Sequence, residues 1–215
     1  MRIVIDDAQP TGLDCICVDN HRNLIASIPY KEHCLRFEWK GSSYGTPRPV
    51  GQSVRGTKKA IAAAQDGTLF IAVMTGSIIR VRPDGSEDAF HTRDTTINVA
   101  VGPNGLIYTT STNERAVHVY QPDGKFVETI PHGIADSPAD LFVESAGTIY
   151  LPFFNSGKLL QISSGQLSQV TFIAEELGNP GGIAMDSKGR IYLSDFSGDV
   201  IYLLDQPRST TTERM

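Results

Sequence analysis

Gly182-Ile183-Ala184-Met185-Asp186, a short run of small and apolar residues, leads into the turn Ser187-Lys188-Gly189 and then a second strand-like run from Arg190 to Asp195. The same order recurs upstream from Cys15-Ile16-Cys17-Val18-Asp19, Ala60-Ile61-Ala62-Ala63-Ala64, Asn98-Val99-Ala100-Val101-Gly102 and Asp140-Leu141-Phe142-Val143-Glu144. The turns that follow centre on Asn23, Gly67, Gly105, Gly147 and Gly189, so the copies step by 44, 38, 42 and 42 residues. A period of about 40–45 residues is that of one propeller blade.

Alternation and β-branched or aromatic content extend each copy to four strands. In the third copy these are Asn98 to Gly102, Leu106 to Ser111, Ala116 to Tyr120 and Lys125 to Ile130. Asp66-Gly67, Asp84-Gly85, Asn104-Gly105 and Asp123-Gly124 supply the positive φ that tight hairpins require. The expected fold is all-β: one propeller of five four-stranded blades over residues 1–207, with a polar tail over 208–215. Six blades would need about 250 residues. The fifth copy is interrupted by Gln206-Pro207-Arg208-Ser209, so its outer strand is expected from Arg2 to Asp6, closing the ring. Period-2 alternation sorts the first strands into one set between blades and one facing the axis. The axial set is mostly small; within it Phe142 is expected to plug the channel.

Composition limits the partner classes. The chain has 215 residues, 40% hydrophobic and 20% charged, with a net charge of −5. It lacks a Lys/Arg cluster, which argues against nucleic acid. No run reaches the ~18 apolar residues of a membrane span, and the acidic Met1 to Asp7 segment is no secretory signal. Three cysteines in no metal-binding spacing, Cys15, Cys17 and Cys34, read as reduced thiols and a cytoplasmic location.

The segment from Asn179 to Asp195 resembles an NHL-type repeat, and the other copies resemble it more weakly. The similarity extends to the gluconolactonase and regucalcin-like lactonases, strictosidine-synthase-like enzymes and virginiamycin B lyase. That resemblance implies the propeller fold, and for the lactonases a divalent cation held by Glu, Asn and Asp, some just before the Gly of the motif. Those positions here are Asp14, Lys59, Ile97, Ala139 and Gly181, of which only Asp14 matches. Lysine, isoleucine and alanine cannot build a hard-cation site. The reading therefore requires no cofactor; a relocated calcium-type site would draw on Asp14, Asn98 and Asp140.

Loops on a rigid frame carry function. The candidate catalytic residues are Asp140 and His132, with Asp136 in the same blade connection and Lys59 as the charge partner of Asp140; Asn98 is a second structural partner for that carboxylate. A loop histidine is expected to be solvated. Tyr30, Phe153, Phe154 and Phe196, with Asn98 and Phe142, are candidates for gripping a small organic molecule. Each aromatic has an alternative in packing between blades, and Phe153-Phe154 is the pair alternation cannot bury on one side. Asp19, Glu144 and Asp186 end the first strands, where an acid is expected to bind turn amides. The functional expectation is a small enzyme acting at the channel mouth by lactone-type hydrolysis or lyase or cyclisation chemistry. The alternative is a noncatalytic protein- or glycan-binding module.

Overall fold

The computed structural model describes residues 15–27, 33–51, 58–163, 170–198 and 200–204, with only the backbone at 58 and 59. All of its regular structure is β, in five antiparallel sheets, one for each copy in the sequence. Blade 1 holds β1 (Ile16–Val18), β2 (Leu24–Ala26), β3 (Cys34–Phe37) and β4 (Arg48–Val50). Blade 2 holds β5 (Lys58–Ala63), β6 (Leu69–Val73), β7 (Ser77–Val81) and β8 (Glu87–His91). Blade 3 holds β9 (Val99–Val101), β10 (Ile107–Ser111), β11 (Ala116–Tyr120) and β12 (Phe126–Pro131). Blade 4 holds β13 (Phe142–Val143), β14 (Ile149–Phe153), β15 (Lys158–Ile162) and β16 (Val170–Ala174). Blade 5 holds β17 (Pro180–Met185), β18 (Ile191–Asp195) and β19 (Ile201–Leu204). The closing strand expected from Arg2 to Asp6 and the tail over 208–215 lie outside the described residues.

Two compact units contain these blades: Met1–Ala135 with Ser145–Gly147, and Asp136–Glu144 with Thr148–Met215. In the first unit, the face shared by blades 1 and 2 buries Ile25, Cys34, Ile61, Leu69, Ile71, Val73, Ile79 and Val81, with Cys17 and Ala63 packed against them. Between blades 2 and 3, Ala60, Phe70, Ala72, Ile78, Val99, Ile107 and Tyr120 form a second cluster, flanked by Cys15, Ala62 and Ala64. In the second unit, Tyr150, Leu159, Leu177, Ile191 and Leu193 join blades 4 and 5, with Phe142, Ile183 and Met185 against them. Burying a side chain of this size stabilises by about 1.5–3 kcal/mol.

These clusters correct one expectation. Side chains stand perpendicular to a sheet, and blade faces meet other blades, so alternation on a first strand sorts residues between two neighbours. Ala60, Ala62 and Ala64 point to blade 3, and Ile61 and Ala63 to blade 1. Phe142 packs against the blade 4–blade 5 cluster, its ring centroid 6.3 Å from that of Tyr150.

The turns reproduce the repeat in detail. Gly67, Gly105, Gly147 and Gly189 have φ between 75° and 88°. In blade 1 the left-handed residue is Arg22, φ 65°, one position before the expected Asn23; its N–H donates to the Asp19 carbonyl, while Asn23 instead donates to the Asp19 carboxylate. Asp66, Asp84, Asn104 and Asp123 each accept an N–H from two residues on, as short polar side chains do in tight hairpins.

Candidate functional site

Three aspartates organise the loops where second strands end. Asp94 accepts hydrogen bonds from the Asn113 amide N–H (2.8 Å), the Thr95 N–H (2.6 Å), the Asn113 side chain and the Ser111 hydroxyl. Asp136 repeats the pattern 42 residues later, accepting from Asn155 Nδ2 (2.8 Å) and the N–H groups of Ser156 (2.9 Å) and Ser137 (2.8 Å). In blade 5 the acid has changed sides: Asp195 accepts from the N–H groups of Asn179, Ser197 and Gly198 and from the Tyr202 hydroxyl. Hydrogen bonds to a carboxylate favour its charged form. Against a partial burial that works the other way, they hold Asp94 near 2 and Asp136 below the usual carboxylate range; Asp195, with its backbone donors foremost, also lies near 2. Asp136, a catalytic candidate in the sequence, thus sits in a latch that keeps it ionised. Asp94, Asp195, Asn113 and Asn155 carry this architecture without having been singled out from the sequence. The repeat step linking Asp94 to Asp136 and Asn113 to Asn155 was the available signal.

Asp140 is placed differently. It lies just before the first strand of blade 4, whose partner strand carries Pro152, a residue with no N–H to offer the ladder; the Pro152 carbonyl accepts from the Ala139 N–H at 2.8 Å. The regular strand consequently starts only at Phe142. In blade 5 a register shift between Pro180 and Ile183 frees the backbone around Gly181-Gly182, and the Ile183 N–H donates to Asp140 Oδ2 at 3.0 Å. Asp140 Oδ1 accepts from the Leu141 N–H at 2.8 Å. The carboxylate therefore ties blade 4 to the bulge of blade 5. Burial outweighs the two amide bonds and pushes its pKa up to about 6.

The same two blades carry the candidate aromatics. Phe153 is fully buried and bridges Pro138, whereas the next residue, Phe154, is half-buried. Its ring meets Phe196 at a centroid distance of 5.7 Å and an interplanar angle of 60°. Phe196 is 77% exposed, the most solvent-open of the described large apolar side chains. Asn179 Nδ2 donates to the Phe154 carbonyl at 2.8 Å, and the Ser197 hydroxyl donates to Asn179 Oδ1 at 2.7 Å, fixing the base of the pair. Alternation correctly separated the two phenylalanines, one to the core and one outward.

His132 is buried, at 5% exposure, and not solvated as expected. Its Nδ1 accepts the Ile134 N–H at 3.2 Å, and its backbone N–H donates to the Arg115 carbonyl. Burial, with the nearby Arg115 cation, lowers its pKa to about 4, so it is neutral at pH 7 and an acceptor at Nδ1. Asn98 is buried, its Nδ2 donating to Thr110 Oγ1 at 3.4 Å. Lys59 lies at a bulge in β5; its side chain, Tyr30 and Asp14 fall outside what the structure describes. Among the described residues, no three His, Cys, Asp or Glu side chains are grouped as for a metal ion. Asp19 and Asp186 bind turn amides as expected, and Glu144 accepts instead from the Tyr150 hydroxyl at 3.2 Å.

No family model matches the chain, and no curated protein matches it. Solved structures do. Virginiamycin B lyase from Staphylococcus aureus superposes with a TM-score of 0.70 at 16% identity, over 94% of this chain and 72% of that one. The nidogen/laminin complex gives a TM-score of 0.79 at 16% identity, over 90% and 75% of the two chains. A gluconolactonase from Xanthomonas campestris gives 0.70 at 15% identity, over 89% and 71%. The fold is a five-bladed β-propeller. Its structural neighbours include the NHL- and gluconolactonase-like propellers that the sequence resembles, and they also include WD40 repeats. Catalytic and noncatalytic propellers thus share this frame, and a scaffold hosting both leaves activity to be argued from side chains.

Proposed function

We infer that this propeller binds a small organic molecule at the loops of blades 4 and 5, with an apolar face of the ligand laid on Phe154 and Phe196. The observation that carries this reading is the exposed aromatic pair held on a hydrogen-bonded base. An exposed ring contributes little to stability and supplies large, rigid contact area to a ligand. Asn155 and Ser197, exposed beside the rings, offer polar groups to orient what binds. Saturation-transfer NMR with a panel of aromatic and alicyclic fragments tests it. Millimolar binding to the wild type and at least fivefold weaker binding to Phe196→Ala, with an unchanged melting temperature, are expected. Equal binding by the variant refutes the site.

A second reading has its own support. A carboxyl raised to about 6 is matched to acid–base work near neutral pH. On this reading Asp140 moves a proton in a lactone-type hydrolysis or a lyase or cyclisation step on the same ligand. Turnover of a lactone panel, inflecting near pH 6 and lost in Asp140→Asn while fragment binding persists, distinguishes it from binding alone.

A further inference from the structure

One row of blade 1 departs from the packing around it. The register places Cys17 opposite Ile25, Ile25 opposite Arg36, and Arg36 opposite Arg48, so all four side chains share one face. Ile25 and Cys34 on that face belong to the apolar cluster shared with blade 2, and Val50 packs against it. Arg36 and Arg48 extend the same surface outward. Directly opposed side chains in an antiparallel pair stand about 4.5–5.5 Å apart at Cβ, and like charges there repel.

One described charge bears on that repulsion: Glu38 acts on Arg48 through space. Neither guanidinium makes a hydrogen bond or ion pair with a described residue, and Arg36 Nε is sealed from solvent without an acceptor. Glu38, the acid two residues along β3, is ion-paired to Lys40. On blade 2, Glu87 ends the row through Leu69 and Val81 and has a contact of its own. Arg36 lies close enough to Cys17 to favour its thiolate, opposing the burial that raises that thiol's pKa. A buried guanidinium N–H without an acceptor is costly, and two arginines side by side present a double fork suited to a tetrahedral oxyanion.

We propose that Arg36 and Arg48 form a binding site for a phosphoryl oxyanion, supplied as free phosphate or as the phosphate of a small phosphorylated molecule. Its oxygens take the terminal N–H groups of both arginines. The anion cancels the cross-strand repulsion at the edge of the cluster, and the Arg36 side chain reports its arrival. The site lies in the first compact unit and does not depend on the Phe154–Phe196 reading.

The test is a titration of the full chain with inorganic phosphate and, separately, glycerol 3-phosphate, at constant ionic strength adjusted with sodium chloride. The readouts are the Arg36 Nε–Hε resonance and the melting temperature. Saturable shifts with a millimolar dissociation constant are expected, and the tighter of the two probes identifies the source of the phosphoryl group. Arg48 is exposed, so Arg48→Gln retains the fold and is expected to weaken binding at least tenfold. Arg48→Lys keeps the charge but loses the fork and is expected to fall between. An Arg36 resonance indifferent to both probes overturns the proposal. So does Arg48→Gln binding as the wild type does.

Discussion

Replacing Asp140 by asparagine tests whether burial or hydrogen bonding governs this carboxyl. Burial raises its pKa from the ordinary 3.8 to about 6, while the Leu141 and Ile183 amides pull the other way. An acid whose folded pKa is raised contributes stability that is fully present below pH 3.8 and is lost as pH rises through 6. At about 1.36 kcal/mol per pKa unit, the full loss is about 3 kcal/mol, of which about 2–3 kcal/mol falls between pH 4 and 7.5. Asparagine does not titrate, so its variant escapes that loss. It has only one side-chain acceptor oxygen for two amides, and its NH2 group faces one donor, costing about 1–3 kcal/mol at every pH. Asp140→Asn should therefore be clearly less stable than the wild type at pH 4 and comparable to it at pH 7.5. Urea unfolding of both proteins at the two pH values measures the gap. Every other carboxylate titrates alike in the two proteins and cancels. A gap that stays constant, or widens toward neutral pH, refutes the reasoning and assigns the carboxyl to its amide donors.

The aspartate latches predict a common cost with the opposite pH dependence. Asp94→Ala and Asp136→Ala should each lose about 1–2 kcal/mol in thermal or urea unfolding, discounted for partial exposure. Because both carboxyls are held low, their contribution is present above the ordinary pKa and fades as pH falls through their lowered folded pKa values; variants that keep the wild-type acid sensitivity would contradict the latch. Gly178 has φ +66°, and a Cβ there would lie 2.3 Å from Asp195 Oδ2, whereas Gly189, at φ +78°, has nothing within 4 Å. Alanine at 189 should cost about 1 kcal/mol of backbone strain, and alanine at 178 distinctly more, because it also displaces the latch; equal losses would show that Asp195 yields freely.

The repeat made most of the frame legible because each blade must satisfy the same turn and the same interblade packing. Ala116 to Tyr120 is a strand with the boundaries read from the sequence, and β12 and β18 lie within one residue of theirs. What alternation could not supply was the direction of each face: a period of two separates Ile61 from Ala62 but does not say that one packs toward blade 1 and the other toward blade 3. His132 was misread because loop membership says nothing of depth, and the backbone pairing of His132 and Gly133 with Arg115 draws the imidazole inward. The latches escaped notice because Asp136 was weighed alone, although Asp94 occupies its equivalent position and carries the same bonds.

Blade 4 shows how one residue redirects a site. First-strand residues face partners twelve positions on: Cys15 with Ser27, Asn98 with Thr110, and Gly182 with Ser194; in blade 4 the equivalent positions in the sequence are Asp140 and Pro152, but the Pro152 carbonyl accepts from the Ala139 N–H. In three of these blades a hydroxyl occupies the second position and binds the first, Ser27 Oγ accepting the Cys15 N–H at 3.0 Å, Thr110 Oγ1 accepting from Asn98, and Ser194 Oγ accepting the Gly182 N–H at 2.8 Å. Proline offers neither a hydroxyl nor an N–H, so the Asp140 carboxylate has no partner across its own strand pair. It turns instead to the Ile183 amide exposed by the neighbouring bulge. The acidity of Asp140 is thus set by Pro152 and by the Gly181-Gly182 bulge together, and a change at either position acts on the carboxyl without touching it.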